Sequence, residues 1–256
     1  MLTAMAQPQV MASSLRQIEG GAMVEKHLSS QFDADLRQLL GRLLAMGGMV
    51  ELQMTRAVAT LERFNPSVFE AIRDDEKQIN IAEREIDELL EQVIARRQPA
   101  ARDFRLLMAT SKCIGNLERA ADEARQVAKR ARRIDEQREL GFLRTPEVLK
   151  AGQLASDLLH RALDAFARMD TNAANQVMQD DRAIDEEFRA FTTRMVPFMS
   201  DNPRMISMAL DYMFVAKAIE RVGDHATNIA EFVLYVVGGT DIRHAAGARL
   251  PQSNTV

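Results

Sequence analysis

The segment Ala216 to Glu231 contains Glu220-Arg-Val-Gly-Asp224, and a weaker copy, Glu118-Arg-Ala-Ala-Asp122, stands 102 residues earlier. Residues four apart share one face of a helix, so each Glu-Arg-x-x-Asp projects two carboxylates about one turn apart. Such like charges cost a helix a few tenths of a kcal/mol unless something offsets them. The offset is solvent, protonation, a nearby arginine or a bound cation. A second acidic row lies upstream: Glu76, Asn80, Glu83 and Asp87 step by 4, 3 and 4. Eleven residues return to within about 20° of the starting direction, so the four line one seam. Later, Asp181 and Asp185 hold the positions of Glu76 and Asn80, while Phe188 and Thr192 replace Glu83 and Asp87.

Carboxylate and carboxamide oxygens suit hard or borderline cations. Divalent or iron-type ions (Mg, Mn, Zn or Fe) are therefore the expected cofactor, with no organic one. The expected metal ligands are Glu76, Asn80, Glu83, Asp87, Glu118, Asp122, Asp181, Asp185, Glu220 and Asp224. The plainer reading is a solvated face, because the chain is 27% charged. Arg84, Arg119, Arg182 and Arg221 each follow an acid and offer ordinary pairing. It is the repetition that favours metal.

Other chemistry is sparse. There is no Gly-x-Gly-x-x-Gly, P-loop, His-Glu-x-x-His or Gly-x-Ser-x-Gly. Asp157-x-x-His160 and Asp241-x-x-His244 mimic di-iron spacing, but with Asp and not in matched helices. His160 reads as a surface or packing residue. His225 is a possible extra ligand, though an exposed position is the simpler expectation. Cys113 lies on an apolar helical face and reads as a buried small hydrophobe in a reducing compartment. The run Lys129-Arg130-Ala-Arg132-Arg133 complements a helix C-terminus or docks an acidic partner.

The elements that position these groups are helices. The chain is rich in Ala, Leu, Met, Glu and Arg and has no Trp and two Tyr. Apolar residues recur at helical steps from Phe32, through Leu36, Leu39, Leu43 and Met46, to Leu61. Asn65-Pro66 is a cap followed by an N1 proline and starts a second helix. Pro99 opens a third, which runs to about Arg133 and breaks at Glu139 to Gly141. Thr145-Pro146, Asp170 and Asn202-Pro203 mark the later starts. Ala57 to Asn65 matches Ala162 to Asp170 at an offset of 105, which falls to 102 after the second helix of each copy. The expected fold is all-α: two tandem three-helix bundles related by internal duplication, six long helices of roughly 25–38 residues. The expected boundaries are 26–140 and 145–244, with disordered segments at 1–25 and 245–256.

A net charge of −4 recruits neither nucleic acid nor an anionic membrane. No apolar run approaches the ~20 residues needed to span a bilayer, and a soluble cytoplasmic protein is expected.

At these residues the chain resembles the PhoU family of phosphate-signalling proteins. The likeness runs through Met46 to Glu51, Ile94 to Arg105, Leu117 to Asp122, Ala162 to Arg168, Ile219 to His225 and Gly238 to His244. It implies two three-helix bundles and, in place of an enzyme, a negative regulator of the phosphate-starvation response and of phosphate uptake. It further implies an adaptor between the ATPase subunit of the phosphate ABC transporter and a membrane sensor histidine kinase. Metal clusters held by Glu/Asp-x-x-x-Asp pairs are implied as well; Glu83/Asp87, Glu118/Asp122, Asp181/Asp185 and Glu220/Asp224 fit that pattern. Arg96, Arg97, Arg102, Arg105, Lys129 and Arg130 are the expected partner-binding side chains. A homodimer that meets the membrane only through partners is expected. The alternatives are a metal-dependent, carboxylate-bridged enzyme and a metal-free helical scaffold.

Overall fold

The computed structural model describes residues 30–239, except 98, 100, 142 and 144. The expected terminal segments, His27 and His244 lie outside the described residues. Among the described residues, seven α-helices follow in order. They are α1 (Ser30–Glu62), α2 (Pro66–Arg97), α3 (Ala101–Glu136), α4 (Pro146–Arg168), α5 (Thr171–Asp180), α6 (Arg182–Asp201) and α7 (Ile206–Gly238). The helix expected as one piece from Asp170 is split into α5 and α6 at Asp181. Asp181 keeps helical dihedrals (φ −54°, ψ −32°), so the split is a lapse in the hydrogen-bond ladder and not a turn. Pro197, which withdraws one N–H from the ladder, sits inside α6. At 23 residues, α4 is shorter than the range expected.

Two caps behave as the duplication requires. Asn65 Oδ1 accepts from the Ser67 amide at 2.9 Å. Asp170 Oδ1, at the matching position, accepts from the Asn172 and Ala173 amides, each at 3.0 Å. Both satisfy amides the first turn leaves orphaned. The other starts differ from expectation. Ala101, at φ 45°, opens α3 two residues after Pro99. Thr145 makes no side-chain cap bond, and its hydroxyl lies beside the Tyr212 phenol. Asn202 donates back to the Phe198 carbonyl at 3.0 Å, ending α6. A short 3₁₀ turn, Pro203–Met205, then precedes α7.

Packing unites the copies. α1, α3, α7 and α4 form a ring of four neighbours; α2 covers the α1/α3 edge, and α5 with α6 covers the α4/α7 edge. The most extensive contact, α3 with α7, joins the two copies, and the buried side chains make one continuous core. The two main contacts across the halves, α1 with α4 and α3 with α7, pair equivalent helices, as a pseudo-two-fold relation demands. The α3/α7 pair also shows an exchange of roles. Arg130 lies 4.3 Å over the Phe214 ring, whereas at the equivalent positions Lys112 lies 5.8 Å over Phe232. Cation and ring have exchanged equivalent positions, so both cations stand on α3 and both rings on α7, and the attraction is kept. No helix among the described residues is long and apolar enough to cross a membrane. Cys113 is fully buried, and burial pushes its thiol well above the usual range.

Candidate functional site

The helical period sets the acids of α2 and α3, and those of α5, α6 and α7, along two equivalent seams. In the first seam Arg125 of α3 takes the central place. Its Nε lies 2.7 Å from Glu76 Oε1, and its Nη2 donates to Asp122 Oδ1 at 3.0 Å. One guanidinium thus bridges an acid of α2 and an acid of α3. Farther along, burial raises the Glu83 carboxyl, with Asp87 adding to the effect. Burial, then Asp122 and Glu83, does the same to Glu118, while burial and Glu91 raise Asp87. Asn80 is exposed, and its backbone carbonyl accepts from Arg84 Nε at 3.3 Å.

The second seam differs at its centre. Thr227 stands where Arg125 would be, and Gly223 where the first copy has Ala121. A Cβ at 223 would sit 2.6 Å from Asp181 Oδ1, so the missing side chain admits the carboxylate against α7. Burial, then Asp224 and Asp185, pushes Asp181 up to about 6, against the pull of the Thr227 hydroxyl. Burial and Glu220 raise Asp224 as well. Cations touch only the flanks: Lys217 pairs with Glu220, and Arg189 Nη2 lies 3.5 Å from Asp185 Oδ2. The donor chemistry therefore fits a cation in this seam. In the first seam Arg125 pairs with Glu76 and Asp122, while Glu83, Asp87 and Glu118 stay raised by burial and neighbouring carboxylates. Among the described residues, no three His, Cys, Asp or Glu side chains gather into a ready set of metal ligands.

A prediction follows from Asp181. Its folded pKa of about 6 lies above the ordinary value near 3.9. A raised carboxyl contributes stability that is complete below the unfolded pKa and is lost as pH rises through the folded one. In chelator, Asp181→Asn is expected to match wild type near pH 4 and to exceed it at pH 7. The gain is on the order of 1 kcal/mol once partial exposure is discounted. Urea unfolding at both pH values measures it; a variant less stable than wild type at pH 7 contradicts the assignment.

His225 is not a seam ligand. Its ring turns toward α3, where Nδ1 lies 3.0 Å from Asn116 Oδ1, and Asn228 Nδ2 donates to the same oxygen at 3.1 Å. Burial, with Arg119 and Arg221 adding to it, pushes its pKa down to about 4, so the imidazole is neutral. The reason is angular: consecutive residues leave a helix about 100° apart, so Asp224 facing α5/α6 turns His225 toward α3. His160 joins α4 to α1 through Glu51 Oε2, 3.1 Å from its Nδ1. That hydrogen bond raises its pKa.

The six basic side chains do not make one patch. Arg102 and Lys129 lie 27 residues apart on α3, about 40 Å at 1.5 Å per residue. Three have internal partners. Arg97 Nε and Nη2 donate to Asp35 Oδ2 at 2.9 and 2.8 Å. Arg105 Nε reaches the Val236 carbonyl at 3.4 Å near the end of α7, and Arg130 binds Asp211. Arg96 and Lys129 are exposed and Arg102 is partly so. Sequence reasoning missed Arg125, Gly223 and Thr227. The signal was present: Arg125 follows Asp122 by three, and the 102-residue offset aligns it with Thr227.

With this geometry in place, comparison with known proteins is informative. A family model described as "PhoU domain" matches twice, at residues 43–131 and 148–233. A Burkholderia protein named phosphate-specific transport system accessory protein PhoU homolog is 46% identical, over 90% of this chain and 98% of its own. The Escherichia coli protein named phosphate-specific transport system accessory protein PhoU is 36% identical, over 89% and 93%. The crystal structure of PhoU from Pseudomonas aeruginosa superposes with a TM-score of 0.76 at 40% identity, covering 82% of this chain and all of its own. The phosphate transport system regulatory protein from Streptococcus pneumoniae is similar in fold, with a TM-score of 0.75 at 23% identity.

Proposed function

The chain belongs to the PhoU family, and from that premise we propose that it is an accessory, regulatory protein of phosphate transport. In this reading it is a cytoplasmic negative regulator of the phosphate-starvation response and of phosphate uptake. It acts as an adaptor between the ATPase subunit of the phosphate ABC transporter and a sensor histidine kinase, by helix-surface contacts and without catalysis. The observation that supports the reading is the likeness, across both bundles, to proteins named phosphate-specific transport system accessory protein. Arg96, Arg102 and Lys129 offer their charge outward, and we assign partner contact to them. Contact with the membrane comes through those partners, and the working unit is a homodimer. We further propose that a divalent or iron-type cation binds the second seam, through Asp181, Asp185, Glu220 and Asp224, where Thr227 stands at the position of Arg125.

Deleting the gene and following a phosphate-starvation reporter in high phosphate tests the regulatory reading. Derepression that a plasmid copy reverses is expected. A reporter that stays repressed without the protein overturns it.

A further inference from the structure

Beyond its acids, toward the start of α7, the face between α6 and α7 turns apolar. The two helices run antiparallel, with Asp181 against Gly223 and Lys217 over the Phe188 ring. That register sets Val196 of α6 level with Leu210 of α7. Ile206, Leu210 and Phe214 recur every four residues along α7, a stripe about 12 Å long. Ile206 is 39% exposed, Leu210 41%, Phe214 53% and Val196 59%. The first copy is built differently at the same positions. Glu83, Glu91 and Lys112 stand where the second copy has Phe188, Val196 and Phe214, and only Phe104 and Met108 keep the apolar character of Ile206 and Leu210. Charge therefore suits this face of the fold, and its replacement by grouped, exposed apolar side chains in one copy marks an interaction surface.

We propose that this α6/α7 face receives an acidic, amphipathic helix of a partner protein. The adaptor reading above supplies the existence of a partner; the place and chemistry of its contact come from the face itself. Charge selects the occupant. Arg130 of α3 lies 4.3 Å over the Phe214 ring, which brings the exposed Lys129 and Arg133 to the edge of the stripe. Lys217 is exposed one turn farther along α7. Asp211 and Glu220, acids of the same stretch of α7, are paired with Arg130 and Lys217, so the rim is positive. A helix that lays apolar side chains at i, i+4 and i+8 on the stripe meets this rim with carboxylates on its flanks. Phe214 is the anchor, since aromatic rings and arginines concentrate at interface centres. A second copy of this chain fits poorly. A two-fold axis through the stripe sets Lys129, Arg133 and Lys217 against their own copies.

The test titrates the full chain against two fluorescent peptides of about 18 residues, roughly five helical turns. Each is held helical by a side-chain cross-link and carries leucine at i, i+4 and i+8; one has glutamate on the flanks and the other lysine. Fluorescence anisotropy reads affinity. The glutamate peptide is expected to bind about tenfold or more tighter than the lysine peptide, and to weaken as salt rises. Leu210→Ser/Phe214→Ser and, separately, Arg133→Gln/Lys217→Gln are each expected to cost it about tenfold. Phe104→Ser, the matching change in the first copy, leaves binding unchanged. Phe214→Lys, which copies the first copy's residue, serves if the serine pair fails to fold. Binding that ignores flank charge, or that survives Leu210→Ser/Phe214→Ser, overturns the proposal. So does a serine pair that sediments as a smaller species than wild type, because the face then joins two copies. In cells the serine pair is expected to derepress the phosphate-starvation reporter at wild-type protein level; continued repression, where deletion derepresses, overturns the proposal too. A deletion that leaves the reporter repressed rejects the regulatory reading alone, and the titration still decides the face.

Discussion

Asp211→Ala is expected to lower unfolding free energy by about 3–5 kcal/mol, a fall in Tm on the order of 10 °C. Asp211 sits near the start of α7 with its side chain 2% exposed. Arg130 Nη1 donates to one oxygen at 2.8 Å; Gln137 Nε2 donates to the other at 3.0 Å, with Arg133 Nε 3.5 Å away. All three partners are in or just after the last turns of α3, so this carboxylate ties the end of the first copy to the last helix of the second. Truncation leaves the Arg130 guanidinium half-buried without its anion, and that uncompensated charge is the dominant cost. Replacing both partners is a different experiment: Asp211→Leu with Arg130→Met removes the charge pair together and is expected to restore much of the loss. Equilibrium unfolding in urea of the two single variants and the double reads the coupling. An Asp211→Ala variant within 1 kcal/mol of wild type means that solvent already compensates the pair.

The second large effect lies where α1 crosses α4. Gly47 and Gly152 occupy matching positions in the two copies, as do Val58 and Leu163. A Cβ on Gly47 would stand 2.6 Å from Leu163 Cδ1, and one on Gly152 would stand 2.7 Å from Val58 Cγ2. Each glycine faces the apolar side chain of the other copy, so one close approach is made twice by the pseudo-two-fold relation. A mid-helix glycine costs roughly 1 kcal/mol relative to alanine, and here that cost keeps the bundles in contact. Gly152→Val is expected to destabilise by about 2–3 kcal/mol through overpacking. Val58→Ala placed on the same chain moves the missing volume across the contact and is expected to recover at least half. Additive losses in the double variant, with no coupling between sites 58 and 152, contradict a direct clash.

Much of this architecture can be read in the chain before any packing is known. Side-chain periodicity depends only on the local helix, so the apolar stripes, the acid rows and their shared faces follow from spacing alone. Caps are equally local: Asn65 and Asp170 each reach an amide two residues away, which is why the duplicated starts are legible. Thr145 and Asn202 fail as side-chain caps because each has a nearby competitor, the Tyr212 phenol and the Phe198 carbonyl.

What only the tertiary structure decided is who faces whom. A helix period gives the direction a residue leaves its own axis, but not the register of the neighbour it meets, because long-range packing sets that register. Thus the sequence shows Glu76 and Asp122 as two acids on two helices, and packing places the Arg125 guanidinium between them. It shows Gly223 as a small residue in a stripe, and packing makes it the opening through which Asp181 reaches α7. It shows Asp211 as a charge at the start of a helix, and only the descent of α3 alongside buries that charge and supplies its arginines. The acids' positions belong to the chain; whether each is solvated, protonated or paired depends on the distance and burial that another helix imposes.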